Sequence, residues 1–177
     1  MIGCCASGMT TWVVTGSRPQ TLAPYTEQEI YNICAVLNAF LKTGDTLIQG
    51  GARGVDSIAL RYAHKRGGLH TITLLPRSRE FTSSIVKDLS DEVIETNLGY
   101  WARDAQEVER ANKVLAFPAF ERKRSSKLSG TWHTWDLAIN SDKHSALVVM
   151  RPTHGPIIVG PDWAIASEAL GAQMTLF

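Results

Sequence analysis

Three short stretches of the chain combine glycine with side chains that can hold an anion. The first is Thr15-Gly16-Ser17-Arg18. Gly16 permits close backbone approach, and the Ser17 hydroxyl and Arg18 guanidinium can both reach a phosphate or carboxylate. The same residues also suit a plain turn with an exposed arginine. The second is Gly50-Gly51-Ala52-Arg53-Gly54-Val55-Asp56. Its glycines leave backbone N–H groups able to point at a ligand, and a helix N-terminus following it adds partial positive charge. It lacks the Gly-Lys-Ser/Thr ending of a P-loop and the GxGxxG spacing of a dinucleotide fold. The alternative is a tight turn with Asp56 as a first-turn carboxylate favoured by the helix dipole. The third is Ser129-Gly130-Thr131, where a hydroxyl can cap a helix or donate to a phosphate from the same place. The basic run before it (Arg122, Lys123, Arg124, Lys127) suits an anion or a solvated loop equally.

The elements that must position these stretches follow from hydrophobic patterning. Short β-branched runs at 11–15, 46–49, 70–75, 113–117 and 145–150 read as strands. Helical periodicity falls between them. Thr26 with Glu29 forms a capping box ahead of the stripe Ile30, Ile33, Cys34, Leu37, Phe40. Further helices are expected over 55–65, 100–111 and 130–139, with a shorter one over 83–89. Alternating strands and helices predict a Rossmann-like three-layer αβα domain, with a mainly parallel sheet of at least five strands. The domain is placed at 10–150. Residues 151–177, with three prolines and a helix near 162–170, are read as an extension packed on it. In such sheets ligands bind beyond the carboxyl ends of the strands. The three glycine-bearing turns then meet in one crevice whose natural guest is a phosphorylated nucleotide or sugar. On this reading Gly51→Val removes binding and leaves the fold intact.

Composition narrows the classes. The chain has 177 residues, 44% apolar and 20% charged, which excludes intrinsic disorder. A net charge of +1 withholds support from a dedicated duplex-DNA binder. Cys4, Cys5 and Cys34 show no CxxC spacing, so reduced thiols in a cytoplasmic protein are expected. No apolar run is long enough to span a membrane, and the N-terminus does not read as a signal peptide. Asp45, Asp56 and Asp136 form no recognisable metal cluster, and no cofactor is required.

The succession Val-Thr-Gly-Ser-Arg, Gly-Gly-Ala-Arg-Gly-Val-Asp, an arginine-bearing helix before Leu-Ala-Phe, and Ser-Gly-Thr resembles the SLOG superfamily over residues 12–150. That group holds the LOG phosphoribohydrolases, the DNA-processing protein DprA and small stand-alone YspA-type proteins, and the likeness is nearest to the last. The resemblance implies nucleotide binding, with Arg103 as a phosphate or ribose contact. Asp104 stands where YspA-type proteins carry Asn. Without the family, Arg103 reads as a helix-surface residue paired with Glu107 at i+4. The LOG glutamate that assists N-glycosidic cleavage is replaced by Thr134. His133 and Asp136 are nearby candidates for a different reaction, although His133 also fits an inert helix face beside Trp132 or Trp135.

The leading expectation is therefore a nucleotide-binding protein, a sensor being one form of it, using Gly16, Ser17, Arg18, Gly50, Gly51, Ala52, Arg53, Gly54, Asp56, Arg103, Ser129, Gly130 and Thr131. The alternatives are a LOG-like N-glycosidase of nucleoside monophosphates and a DprA-like binder of single-stranded nucleic acid through residues 122–127. Trp101, Trp132 and Trp135 could stack on a base or serve as core. A homodimer or higher homo-oligomer is expected, the homodimer being the commonest oligomer.

Overall fold

The computed structural model describes residues 8–18, 24–122, 129–152 and 157–174. Cys4, Cys5, Lys123, Arg124 and Lys127 lie outside the described residues. Among the described residues, seven strands form one sheet in the order β4-β3-β2-β1-β5-β6-β7. They are β1 (Thr11–Gly16), β2 (Thr46–Gln49), β3 (His70–Leu75), β4 (Glu92–Glu95), β5 (Lys113–Phe117), β6 (His144–Val149) and β7 (Ile157–Val159). The first six run parallel, and β7 pairs antiparallel with β6. The sheet exceeds the five expected strands by β4 and β7. Both were hidden in sequence: β4 is a four-residue edge strand with an exposed glutamate at each end, and β7 is three residues long between prolines.

The helices are α1 (Glu27–Phe40), α2 (Val55–Arg66), α3 (Val86–Leu89), α4 (Tyr100–Arg110), α5 (Gly130–Asn140) and α6 (Trp163–Met174). Thr26 caps α1 as its residue type predicts: its hydroxyl accepts from Glu29 N, and the Glu29 carboxylate accepts from Thr26 N. Ile33, Val36, Leu37 and Phe40 of α1 then bury against Trp12, Val14, Leu115 and Phe117, in a layer shared with α2 and α6. Each such side chain contributes roughly 1.5–3 kcal/mol of burial. On the opposite face, Val108 of α4 and Ala138 of α5 cover Val13, Ile48 and Val114. The sheet is thus covered on both sides, which is why its central strands are apolar on both faces. The segment expected to be helical over 83–89 forms only the single turn of α3. After β6, the chain adds β7 to the sheet edge and lays α6 over α1, with Ala166 fully buried there. No described helix is long and apolar enough to cross a membrane.

The strand order sets where a ligand can enter. From β1 the chain moves outward through β2, β3 and β4, then returns to place β5 on the other side of β1. The loops after β1 and β5 therefore leave in opposite directions, and a crevice opens between them.

Candidate functional site

The crevice at this switch point has a volume of about 370 Å³ and is lined by residues from four elements. This suits a nucleotide-sized guest. Thr15, Gly16, Ser17 and Arg18 come from the end of β1. Ala52 and Asp56 come from the β2–α2 turn, and Ser129, Gly130 and Thr131 from the start of α5. The remaining wall is α4, through Tyr100, Trp101, Arg103, Asp104 and Glu107.

Ser17 ties the two diverging loops together. Its N–H donates to Phe117 O (3.1 Å), and its hydroxyl oxygen accepts from Ala119 N (2.9 Å). Gly16 is small because α2 begins against it: a Cβ there would overlap the Val55 side chain. Arg18 lies over the Phe81 ring, 4.0 Å from its centroid, with Tyr100 beyond at 5.8 Å. Stacking fixes the guanidinium plane and leaves Nη1 buried with no hydrogen-bond partner.

The β2–α2 turn behaves differently from its sequence reading. The N–H groups expected to face an anion are bonded within the chain. Gly50 N and Ala52 N both donate to Asp56 Oδ2 at 3.1 Å, Gly51 N to Gln49 Oε1 at 2.5 Å, and Arg53 N to Phe81 O at 3.0 Å. Gly50, Gly51, Arg53 and Gly54 are absent from the crevice lining, and Arg53 is exposed. The glycines serve packing instead. A Cβ on Gly50 would coincide with the Arg103 guanidinium, and Gly51 holds φ +73° with Leu75 and Thr73 side chains under 3 Å from an added Cβ. Gly51→Val is therefore corrected to a folding mutation, because that position is both left-handed and enclosed. Asp56, fully enclosed, has its carboxyl pushed up to about 6 by burial, against the opposing pull of Arg103 and the two N–H donors.

The floor of the crevice is a charged helix face turned inward. Arg103, Asp104 and Glu107 of α4 are all buried. Arg103 Nη2 meets Asp104 Oδ1 at 3.0 Å, and Nη1 meets Glu107 Oε1 at 2.9 Å. The i+4 pair expected on a helix surface thus exists, but in the interior. Burial alone would lower the Arg103 pKa; Glu107, Asp104 and Asp56 outweigh it and hold the guanidinium firmly charged. Burial raises both Glu107 and Asp104, with Arg103 opposing in each case. His133 and Arg18 also act on Asp104. Arg103 Nε and Asp104 Oδ2 have no hydrogen-bond partner, and neither has Tyr100 Oη. Buried polar atoms are ordinarily paired, and four of those without a partner among the described residues, Arg18 Nη1 included, belong to residues that line this crevice.

Beside α4, where a Cβ on Gly130 would lie 3.6 Å from Asp104 Oδ2, Ser129 caps α5: its hydroxyl accepts from Trp132 N at 3.3 Å, and its carbonyl accepts from His133 N. The N–H groups of Gly130 and Thr131 belong to the first turn, which a helix cannot pair within itself. They stand at the crevice with the positive end of the helix dipole behind them. Thr134, at the LOG glutamate position, is buried and back-bonds to Gly130 O at 2.9 Å.

His133 and Asp136 do not line the crevice. His133 packs edge-on against Trp101, with ring centroids 4.4 Å apart, and Asp136 is held bidentately by Arg122 at 2.9 and 2.8 Å. Trp101 itself is half exposed at the crevice lip, whereas Trp135 is core. The sequence reading omitted Thr15, Tyr100, Asp104 and Glu107 from the site. The available signal was the charged triad on α4, which amphipathic periodicity assigns to solvent.

A mostly parallel sheet covered by helices on both faces, with a polar crevice at its switch point, places the chain among Rossmann-like α/β proteins by fold. No family model and no curated protein sequence matches the chain. Solved structures do. The molybdenum cofactor binding protein from Rippkaea orientalis aligns with a TM-score of 0.58 at 23% identity, over 97% of this chain and 87% of that one. The molybdenum cofactor carrier protein from Chlamydomonas reinhardtii aligns with a TM-score of 0.54 at 26% identity, over 78% of this chain and 76% of that one. DprA from Streptococcus pneumoniae aligns with a TM-score of 0.55 at 18% identity, over 95% of this chain and 56% of that longer one. The likeness to these structures is a likeness of fold.

Proposed function

We propose that the crevice binds a phosphorylated nucleotide or nucleotide derivative. The observation that carries this reading is the set of four unpartnered buried atoms around one cavity: Arg18 Nη1, Tyr100 Oη, Arg103 Nε and Asp104 Oδ2. Arg18 and the first turn of α5 supply the anion subsite. Gly50, Gly51, Arg53 and Gly54 support the turn rather than touch the ligand. Trp101 at the lip offers a ring face or edge to a base. Two of the structures similar in fold are named for a molybdenum cofactor, so that cofactor belongs among the candidate cargoes. Binding without turnover, as in a carrier or sensor, fits a crevice in which Thr134 replaces the hydrolase glutamate.

The test is thermal unfolding against nucleoside mono-, di- and triphosphates, ADP-ribose, NAD and the molybdenum cofactor, with free phosphate as control. A ligand at 100 times its Kd adds about 2.7 kcal/mol of stability. A shift with one class supports the reading, and no shift with any of them overturns it. Light scattering of the same samples tests the expected homodimer.

A second reading has its own observation. Asp56, Asp104 and Glu107 surround Arg103, and burial raises all three carboxyls. A carboxyl retained in its acid form near neutral pH can protonate a departing base. N-glycosidic cleavage of a nucleoside monophosphate would release free base, detectable by chromatography, and its absence rejects this reading. The DprA-like reading has less behind it. The basic loop that motivated it lies mostly outside the described residues, and its described arginine, Arg122, is paired with Asp136.

A further inference from the structure

We infer that a second copy of this chain seats on the outer face of α1 and α2, with the two α1 helices antiparallel across a two-fold axis. This face belongs to the helix layer opposite α4 and α5, so the inference is independent of what the crevice binds. A surface helix ordinarily turns charged residues to water. From Ile30 to Phe40, α1 carries none. Its stripe of Ile33, Val36, Leu37 and Phe40 is buried in the core, yet Ile30 and Tyr31 stand 38% and 56% exposed. Beside them a groove of about 680 Å³ opens between α1 and α2. Ile30, Cys34 and Asn38, successive at i+4, form its α1 wall, and Ile58 and Tyr62 stand in its α2 wall. A smaller hollow of about 410 Å³ flanks the other side of α1, where Tyr31, Cys34 and Ala35 lie beside Ala169 of α6. Cys34 lines both hollows. A helix ridge between two grooves is complementary to a copy of itself.

Charge chooses the occupant and its direction. β1, β2 and β3 are parallel, so α1 and α2, each returning from one strand to the start of the next, run parallel to each other. Tyr62 Oη donates to Asn38 Oδ1 at 3.2 Å and Arg66 Nη1 to Leu41 O at 2.6 Å, which ties their C-terminal ends together. At that end Lys65 and Arg66 rim the groove, with Arg61 one turn before, and no carboxylate lines it among the described residues. The groove therefore takes an uncharged helix with an acidic end. α1 is such a helix: its first turn holds Glu27 and Glu29, and it has no lysine or arginine. Glu29 is bound by Arg151, whereas Glu27 is exposed. Glu27 lies seven residues before Cys34, and Leu41 seven after it. A two-fold axis crossing the ridge at Cys34 sets each Glu27 level with Leu41 of the other copy, hence beside its Lys65 and Arg66. The pairing forms twice by symmetry. An axis along the ridge would instead face Glu27 with Glu27 and the basic ends with each other, which repels.

The experiment is sedimentation equilibrium of the full chain, wild type and variants, with circular dichroism to confirm that each variant is folded. Wild type is expected to be a dimer, and Tyr31→Glu, at an exposed position, a monomer. Glu27→Lys and Lys65→Glu should each weaken the dimer about tenfold or more, since each reversal acts at two symmetric contacts. The double variant Glu27→Lys/Lys65→Glu should recover most of that loss. Recovery cannot come from damage to the fold, so it decides the matter even if Tyr31→Glu fails to fold. A monomeric wild type overturns the inference. So does a dimer indifferent to all three substitutions, which would place the contact elsewhere, or a double variant no tighter than its parents, which would rule out the antiparallel pairing.

Discussion

The β2–α2 turn and the start of α5 lie at the same end of the sheet and both carry glycine, yet their backbone donors end in opposite conditions. In the turn, Asp56 and Gln49 take the N–H groups of Gly50, Gly51 and Ala52, and Phe81 O takes that of Arg53. At α5, Ser129 satisfies Trp132 N and leaves the two preceding donors facing the crevice. The difference comes from side chains, not from glycine. A carboxylate on the first turn of α2 reaches back to its own loop, whereas α5 has no acidic residue in its first turn. A glycine-rich turn is therefore an anion site only where no nearby acceptor has already claimed its donors.

The comparison can be broken most forcefully at Arg103. Arg103→Ala leaves Asp104 and Glu107 buried without their counter-charge and is expected to destabilise the fold by about 3–5 kcal/mol, read by urea unfolding. Near-wild-type stability would show that the α4 cluster is not the enclosed network described here. Asp56→Ala strands two N–H groups and should cost about 2–3 kcal/mol, while Asp56→Asn, which keeps an oxygen acceptor, should cost far less. Ser129→Ala removes a cap worth about 1 kcal/mol, and should weaken phosphate binding beyond that loss. Arg53→Ala, at an exposed position outside the crevice, should change stability by less than about 0.5 kcal/mol.

A pH comparison sharpens the same contrast. The Asp56 carboxyl sits at about 6 in the folded chain, above its ordinary 3.8. Between about pH 4 and 6, the folded state keeps a proton that the unfolded state has released. The contribution of this group to stability is therefore full below pH 4 and declines as pH rises through 6. Glu29 and Asp91, whose pKa values are lowered by Arg151 and by Thr71 respectively, act in the opposite direction: their stabilisation is present above the ordinary carboxylate range and lost on acidification. Measured as a difference from wild type, Asp56→Asn should gain thermal stability progressively from pH 4 to 7. A flat difference would mean that Asp56 is not buried as described.

Much of the architecture was legible because it rests on local signals. The β-branched runs, the Thr26–Glu29 capping box and the strand-ending glycines are read without knowing any tertiary contact. The segments at 16–18 and 129–131 were legible for the same reason, since a hydroxyl or arginine after a strand end points to the switch point. Two things were not. Edge strand β4 is only Glu-Val-Ile-Glu with three of its four residues exposed, a pattern that also suits a solvated loop. On α4, Arg103 and Glu107 at i, i+4 look like a surface ion pair, and only the return of the chain from β4 to β5 turns that face toward the sheet. The donors of the β2–α2 turn were misassigned because glycine content predicts backbone freedom, not which acceptor arrives first.

The most direct test of the central claim is a nucleotide titration followed by thermal unfolding, run in parallel on wild type, Arg18→Ala and Arg53→Ala. The crevice account predicts that the ligand stabilises wild type and Arg53→Ala equally and that the effect disappears in Arg18→Ala. Loss of the effect in Arg53→Ala with retention in Arg18→Ala would contradict it, and would return the site to the glycine-rich turn.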